Sequence, residues 1–162
     1  VQVGDHLIGI KSSGFHSNGF SLLRKVYEKD EKENLEILLR PTALYVKLML
    51  GLAAQKINLR AAAHITGGGL DNIPRVLPND TQAVLSDWWW PAPFMEVQKR
   101  TAMSKKEMLL TLNCGLGFVL VIPAHEEERV LKEITRLGYA GWPLGKIEKS
   151  SGEPTWSLAG LT

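Results

Sequence analysis

The sequence predicts an α/β domain, of the α+β kind, in which helices pack on a mixed β-sheet. Three observations carry that expectation. Short apolar runs of strand character alternate with segments whose apolar residues recur at helical spacing. Two of the strand-to-helix junctions are rich in glycine. The chain has 162 residues, 44% of them apolar, enough for one sizeable core and too few to predict a second, so residues 1–162 are read as a single domain. No internal repeat, low-complexity tract or linker interrupts it.

Residues 5–10 read as the first strand and residues 20–29 as a helix with Phe20, Leu23, Val26 and Tyr27 on one face. Ser17 and Asn18 are its N-cap candidates. The charged residues 30–36 are expected to form a solvated loop or a helix end. Pro41 and Thr42 open a helix that places Tyr45, Leu48, Met49 and Leu52 together. A strand over 59–65, a short helix over 70–76 and a strand over 82–86 follow. Helices are predicted over 91–100 and 104–110, the second opened by Ser104 and Glu107 at capping-box spacing. A strand over 117–122 leads to the clearest helix, 124–137, with Val130, Leu131, Ile134 and Leu137 inward. Glu126, Glu127 and Glu128 lie in its first turn, where the dipole favours them, and Gly138 stops it. Strands over 142–148 and 155–158 close the sheet.

Composition narrows the function. A net charge of +2 from 19 intermixed basic and 17 acidic residues leaves no footprint for nucleic acid. The one cysteine, Cys114, excludes an intrachain disulfide and favours a reducing compartment. No apolar run approaches the roughly 20 residues that cross a bilayer. The expectation is a soluble, cytoplasmic protein without nucleic-acid or membrane partners. The chain opens on Val1 and enters a strand within a few residues, which reads as an excised domain.

The chemistry concentrates in the two glycine-rich junctions. Around Thr66, Gly67, Gly68 and Gly69, a strand-like run meets a helix-like one. Glycine visits positive φ freely and has no Cβ, so a ligand can approach the main chain closely there. A helix starting near Leu70 would aim unpaired N–H groups and its positive dipole end at the same spot. Thr66 adds a hydroxyl, Arg75 a charged fork, and Asn72 a polar side chain. An isolated triple glycine is as readily a plain structural loop; a second segment of the same kind tips the reading toward an anion site. That segment is Ser12, Ser13, Gly14, His16, Ser17, Asn18 and Gly19, again between a strand and a helix. Gly14 and Gly19 have P-loop spacing, but Phe20 stands where a P-loop needs lysine, so this is no Walker-type ATPase loop.

Two of the four histidines, His16 and His64, lie in these segments and titrate near neutrality if unperturbed. His64 is the first candidate for moving a proton and His16 the second. His6 and His125 read as bland. No His or Cys pair has metal-ligand spacing, and no carboxylate cluster resembles a magnesium site, so no metal is assigned to this chain. Trp88, Trp89 and Trp90 lack the basic residues of a nucleic-acid stacking platform. One or two of these rings are expected in the core and the remainder at a contact with a neighbouring domain or subunit.

Several motifs, taken in order, resemble one family. Gly4-Asp5, Leu7-Ile8-Gly9, Ser12-Ser13-Gly14, His16-Ser17-Asn18-Gly19 and Ser21-Leu22 are followed by Pro41-Thr42, Tyr45-Val46-Lys47, the run from Ala63 to Leu70 and that from Asn72 to Pro78. Glu107-Met108 and Asn113-Cys114-Gly115-Leu116-Gly117 complete the series. Together they resemble the C-terminal half of the phosphoribosylformylglycinamidine cyclo-ligases, or aminoimidazole ribonucleotide synthetases, over nearly the whole chain. Leu112 and Cys114 depart mildly, standing where that family usually has Phe and often has Met.

The resemblance implies a layered α/β fold partly like ferredoxin-type topology. It also implies a parent enzyme of purine biosynthesis that uses ATP to cyclise formylglycinamidine ribonucleotide to aminoimidazole ribonucleotide, giving ADP and phosphate. An absent N-terminal half would supply most ATP and Mg2+ contacts and a homodimer interface, leaving this half inactive alone. Two alternatives stay open. One is a related ATP-using enzyme, such as selenophosphate synthetase or thiamin monophosphate kinase. The other is a non-catalytic module that binds a phosphorylated metabolite.

Overall fold

A computed structural model describes residues 1–29 and 31–160. Its centre is a six-stranded sheet in the order β2-β4-β1-β5-β3-β6. In chain order the strands are β1 His6–Lys11, β2 Ala61–His64, β3 Thr81–Leu85, β4 Leu116–Ile122, β5 Gly141–Lys149 and β6 Thr155–Leu158. All neighbours pair antiparallel except β3 and β6, which are parallel, so the sheet is mixed as expected.

Side-chain alternation along the central strands divides the core in two. On one face Leu7, Val119 and Val121 join Phe15, Leu23, Phe94 and Met108. On the other, Ile8, Ile10, Leu120 and Ile122 join Leu48, Leu52, Val130 and Ile134. Both faces of β1 and β4 are therefore covered, which is why these strands read as continuous apolar runs rather than as half-polar ones. The covering helices are α1 Phe20–Val26, α2 Glu31–Leu38, α3 Val46–Ala54, α4 Ala92–Thr101, α5 Lys105–Thr111 and α6 Glu127–Arg136. Helices α1, α4 and α5 contribute to the first cluster; α3 and α6 contribute to the second.

Most predicted elements fall within a residue or two of their observed bounds, and the differences have local causes. Helix α1 stops at Val26 instead of Lys29 and is entered through Gly19 at φ 72°, not capped by the side chain of Ser17 or Asn18. Residues 31–38 form a helix, α2, where a loop or helix end was expected; Leu38, buried in the first cluster, anchors it. Asp30, the first residue of that expectation, lies outside the described residues. Pro41 and Thr42 do not open α3, which starts at Val46, although Tyr45, Leu48 and Leu52 are buried as a set. The helix expected over 70–76 is two single 3-10 turns, Gly69–Asn72 and Pro74–Val76, broken where Pro74 lacks an N–H. Ser104 and Glu107 do form the capping box of α5. Residues 124–126 are a 3-10 turn leading into α6, and Gly138 ends the helix at φ 86°. Val130 and Ile134 are buried there, while Leu131 and Leu137 are partly covered. No helix among the described residues is long and apolar enough to cross a membrane.

Candidate functional site

The two glycine turns come together. An ideal Cβ on Gly67 would lie 3.5 Å from Asn18 Oδ1, so the 66–69 turn touches the 12–19 turn directly. Beside that contact the rings of His16 and His64 are 5.9 Å apart, edge to face. Tyr45 packs on both, at 6.1 and 5.7 Å, and Phe118 closes the group 4.9 Å from Tyr45. The sheet explains the convergence: β2 pairs with β4 and β4 with β1, so the end of β2, carrying His64, is one strand removed from the end of β1, carrying Ser12.

The 12–19 turn is held from within. Ser12 Oγ donates to Asn113 Oδ1 at 3.1 Å, and Asn113 Nδ2 donates to the Gly14 carbonyl at 2.8 Å. Ser13 Oγ donates to the Pro41 carbonyl at 2.6 Å. His16 Nε2 accepts from the Ser13 and Ala43 amides at 3.0 and 3.3 Å. Since that nitrogen is an acceptor, the neutral ring carries its proton on Nδ1, which is buried without a partner. Desolvation, with His64 nearby, lowers the His16 pKa from 6.5 to about 4. Asn18 Nδ2 donates to the His16 carbonyl, which leaves its Oδ1 facing Gly67. His16 and Ser17 both adopt positive φ, 53° and 56°, a strain of order 1 kcal/mol each that the surrounding bonds sustain.

The 66–69 turn is held at one end only. Asn72 is buried; its Nδ2 donates to the Gly69 carbonyl at 2.6 Å and the Gly67 carbonyl at 3.3 Å, and its Oδ1 accepts from Thr66 Oγ1 at 3.2 Å. Asn72 is thus a brace for the turn, with both polar ends engaged, rather than a free donor. Gly69 is buried because any Cβ there would lie 2.0 Å from the Leu109 carbonyl oxygen. Its small size serves packing on α5 and not the approach of a ligand. Gly67 and Gly68 are exposed, and among the described residues their amides meet no protein acceptor. Arg75 is exposed, with Nη2 3.9 Å from an ideal Cβ on Gly68. His64 is exposed too, its ring makes no hydrogen bond among the described residues, and its pKa is lowered from 6.5 by desolvation. Because the following segment is 3-10 and short, a helix dipole adds little at this turn.

Three residues outside the predicted set build this geometry. Asn113, 1% exposed, ties Ser12, Gly14 and the Gly115 amide to one side chain. Tyr45 Oη donates to the Lys11 carbonyl at 3.0 Å. Gly117 has room for no side chain, since a Cβ would sit 1.9 Å from Tyr45 Oη and 2.7 Å from His16 Cε1. All three stood in the motif series, but only the fold shows what each touches.

The turns do not enclose a cavity by themselves. A concavity of about 430 Å3 reaches His64 and is lined by Tyr45, Met49, Leu50 and Phe118, which are apolar. A larger concavity, about 680 Å3 beside Lys106 and Trp156, includes none of the predicted site residues. The convergent polar groups lie at the turns and not in either concavity. Cys114 is buried and its thiol pKa is pushed up by desolvation, so it offers no nucleophile. Of the tryptophans, Trp90 is in the core, Trp88 is half-buried with Nε1 donating to the Cys114 carbonyl at 2.9 Å, and Trp89 is 74% exposed.

A two-faced α/β sandwich with paired glycine turns at one end of the sheet defines the class. The chain belongs to the family described as AIR synthase related protein, C-terminal domain, whose model matches residues 2–156. A phosphoribosylformylglycinamidine cyclo-ligase of Coxiella burnetii is 46% identical over 165 residues, covering 94% of this chain and 47% of that protein. The chain thus spans about half the length of the curated relatives it matches. Among solved structures, E. coli HypE superposes with a TM-score of 0.68 at 19% identity, over 99% of this chain and 48% of that one. Thiamine-monophosphate kinase from Stenotrophomonas maltophilia does so at 0.64 and 18%, over 99% and 51%. At those identities the likeness is one of fold.

Proposed function

We propose that this chain is the phosphate-holding half of an ATP-dependent cyclo-ligase that closes formylglycinamidine ribonucleotide to aminoimidazole ribonucleotide. The reading rests on family membership and on one observation: the turn carrying the exposed, unpaired Gly67 and Gly68 amides lies against the 12–19 turn, with Asn18 Oδ1 3.5 Å from an ideal Cβ on Gly67. In that reaction the ATP γ-phosphoryl passes to the formamide oxygen, giving an iminophosphate and ADP. The amidine nitrogen then attacks the activated carbon, phosphate leaves, and a proton is lost as the ring forms.

Anionic phosphate would be held by the Gly67 and Gly68 amides, Ser17 and Arg75, while the Thr66 hydroxyl, donating to Asn72 Oδ1, holds the turn. Each charge-assisted hydrogen bond contributes about 1.5–3 kcal/mol, so several convergent donors outweigh a helix terminus at about 0.3–1 kcal/mol. His64, neutral near pH 7 and with its ring free of hydrogen bonds among the described residues, is the group assigned to accept the proton. His16, Ser12, Ser13, Gly14, Gly19, Gly69 and Asn72 are assigned to positioning, because their polar groups or their lack of a side chain serve the turns. Mg2+ accompanies ATP in such a reaction, and among the described residues no three of His, Cys, Asp and Glu converge. Its ligands, most nucleotide contacts and a homodimer interface are assigned to the half of the relatives that this chain does not span.

Replacing His64 with Ala in the chain joined to that other half tests the assignment. General-base loss lowers turnover by about 10^2- to 10^4-fold with little change in substrate binding. Turnover within a few-fold of the parent would remove His64 from the proposal.

A further inference from the structure

On the sheet face opposite the His64 cluster lies a cleft of about 420 Å3 that the proposed reaction does not use. Its walls are Trp88, Trp89 and Trp142, its floor includes Ala140 and Gly141, and Lys11 stands at its rim. Trp142 packs with the first core cluster, whereas Tyr45 belongs to the second and Phe118 packs against it, which separates the cleft from the glycine turns.

Three features make this a built aromatic site rather than a surface dent. Two walls are fixed: Trp88 by its bond to the Cys114 carbonyl, and Trp142 by lying on Gly9, where a Cβ would come within 2.9 Å of Cε2. Among the described residues none of the three indoles is in ring contact with another aromatic, so the gap between them is not closed by mutual stacking. Trp89 is 74% exposed, an unfavourable state for so large an apolar ring unless something covers it.

The charge pattern selects the occupant. Asp87 also lines the cleft, but its carboxylate is already engaged, Oδ2 by Lys105 Nζ at 2.6 Å and Oδ1 by the Trp88 amide at 2.9 Å. Lys11 forms no ion pair among the described residues, and its backbone is pinned by the Ala140 carbonyl and Tyr45 Oη. The cleft therefore presents aromatic faces and one uncompensated positive charge. Its volume is within the roughly 300–1,000 Å3 of small-molecule sites, which are mainly apolar with a few placed polar groups.

We propose that this cleft binds a flat aromatic anion, its ring against Trp89 and Trp142 and its negative group on Lys11. Nucleoside monophosphates and aromatic carboxylates share that chemistry. The proposal uses none of the side chains assigned to phosphate and does not rest on that assignment.

Titrating the 15N-labelled 162-residue chain with AMP and, separately, with 4-aminobenzoate tests it, following the five indole N–H signals by NMR. Saturable shifts of the Trp89 and Trp142 indole signals with either probe support the site, and the tighter probe identifies the source. Trp89→Ala, at an exposed position, weakens binding by about 10-fold or more and Lys11→Ala by about 5-fold. The proposal is overturned if neither probe shifts those signals by about 10 mM. It is equally overturned if Trp89→Ala binds either probe as tightly as the parent, judged by the Trp142 signal, or if only the Gly67 and Gly68 amides respond. Movement of the Trp89 and Trp142 signals on dilution of the protein without probe would show that a second copy covers the cleft, which also overturns it.

Discussion

The 12–19 turn and the 66–69 turn share residue types and lie in contact, yet they use their polar groups in opposite directions. In the first, Ser12, Ser13, His16 and Asn18 all donate to or accept from the protein itself. In the second, Asn72 braces one end while Gly67 and Gly68 keep free amides toward solvent. The difference teaches that one turn is a support and the other a presenting surface. A set of serines beside glycines is therefore no proof of ligand contact, because short hydroxyl side chains also satisfy buried backbone. Disturbing the support should cost stability first; disturbing the presenting turn should cost affinity with little change in stability.

Gly117→Ala is the harshest break. Its methyl group would overlap Tyr45 Oη at 1.9 Å and press on Ser12 Cα at 2.9 Å, the second being backbone that cannot swing aside. A loss of more than about 3 kcal/mol is expected, read as a fall in the urea midpoint. A loss under about 1 kcal/mol would mean the support is not rigid.

Acid should act on the same turn through His16. Its folded pKa, about 4, lies below the 6.5 of an unperturbed histidine. Between those values the unfolded chain binds a proton that the folded chain refuses. Stability is therefore whole above about pH 6.5, falls as pH drops toward 4, and levels off below. At 1.36 kcal/mol per unit the total is on the order of 3 kcal/mol. Urea unfolding at pH 7.5, 5.5 and 4.5 measures it, and His16→Gln should flatten the slope above pH 5, where the carboxylates have yet to protonate. An unchanged slope in that variant would assign the acid sensitivity elsewhere.

Asn113→Ala removes one side chain from three partners, Ser12 Oγ, the Gly14 carbonyl and the Gly115 amide, in a site 1% exposed. Leaving buried groups unpaired costs about 2–3 kcal/mol. If the presenting turn is truly separate, the Gly67 and Gly68 amide signals should move less than those of residues 12–19.

The same contrast separates what is legible in the sequence from what only the fold reveals. Strand and helix order followed from periodicity, and the α5 cap from Ser104 and Glu107, because those signals are local. The candidate residues that share the site were legible as two glycine segments. Which of them hold the turns was not, since Asn113 reaches its partners across 101 and 99 residues, and Tyr45 reaches Lys11 across 34. The 3-10 form of residues 69–76 was hidden for a related reason: Gly69 is drawn against α5 by a contact with Leu109 that no spacing rule encodes. Helix α2 was missed because its anchor, Leu38, comes at its last residue, after a run of charges.

Arg75→Ala should have the smallest effect on folding and the most selective effect on binding. Arg75 is exposed and forms no ion pair among the described residues, so stability should stay within about 0.5 kcal/mol of the parent. Its guanidinium nevertheless stands over Gly68, where an anion on the free amides would meet it. Losing one charge-assisted bond of about 1.5 kcal/mol weakens such an anion roughly 10-fold. Pyrophosphate titration of the Gly67 and Gly68 amide signals at two salt concentrations measures this. The parent should bind more weakly at high salt, and the variant should lose part of that dependence along with affinity. Equal affinity in parent and variant would separate Arg75 from the presenting turn and leave the free amides as its only attraction for phosphate.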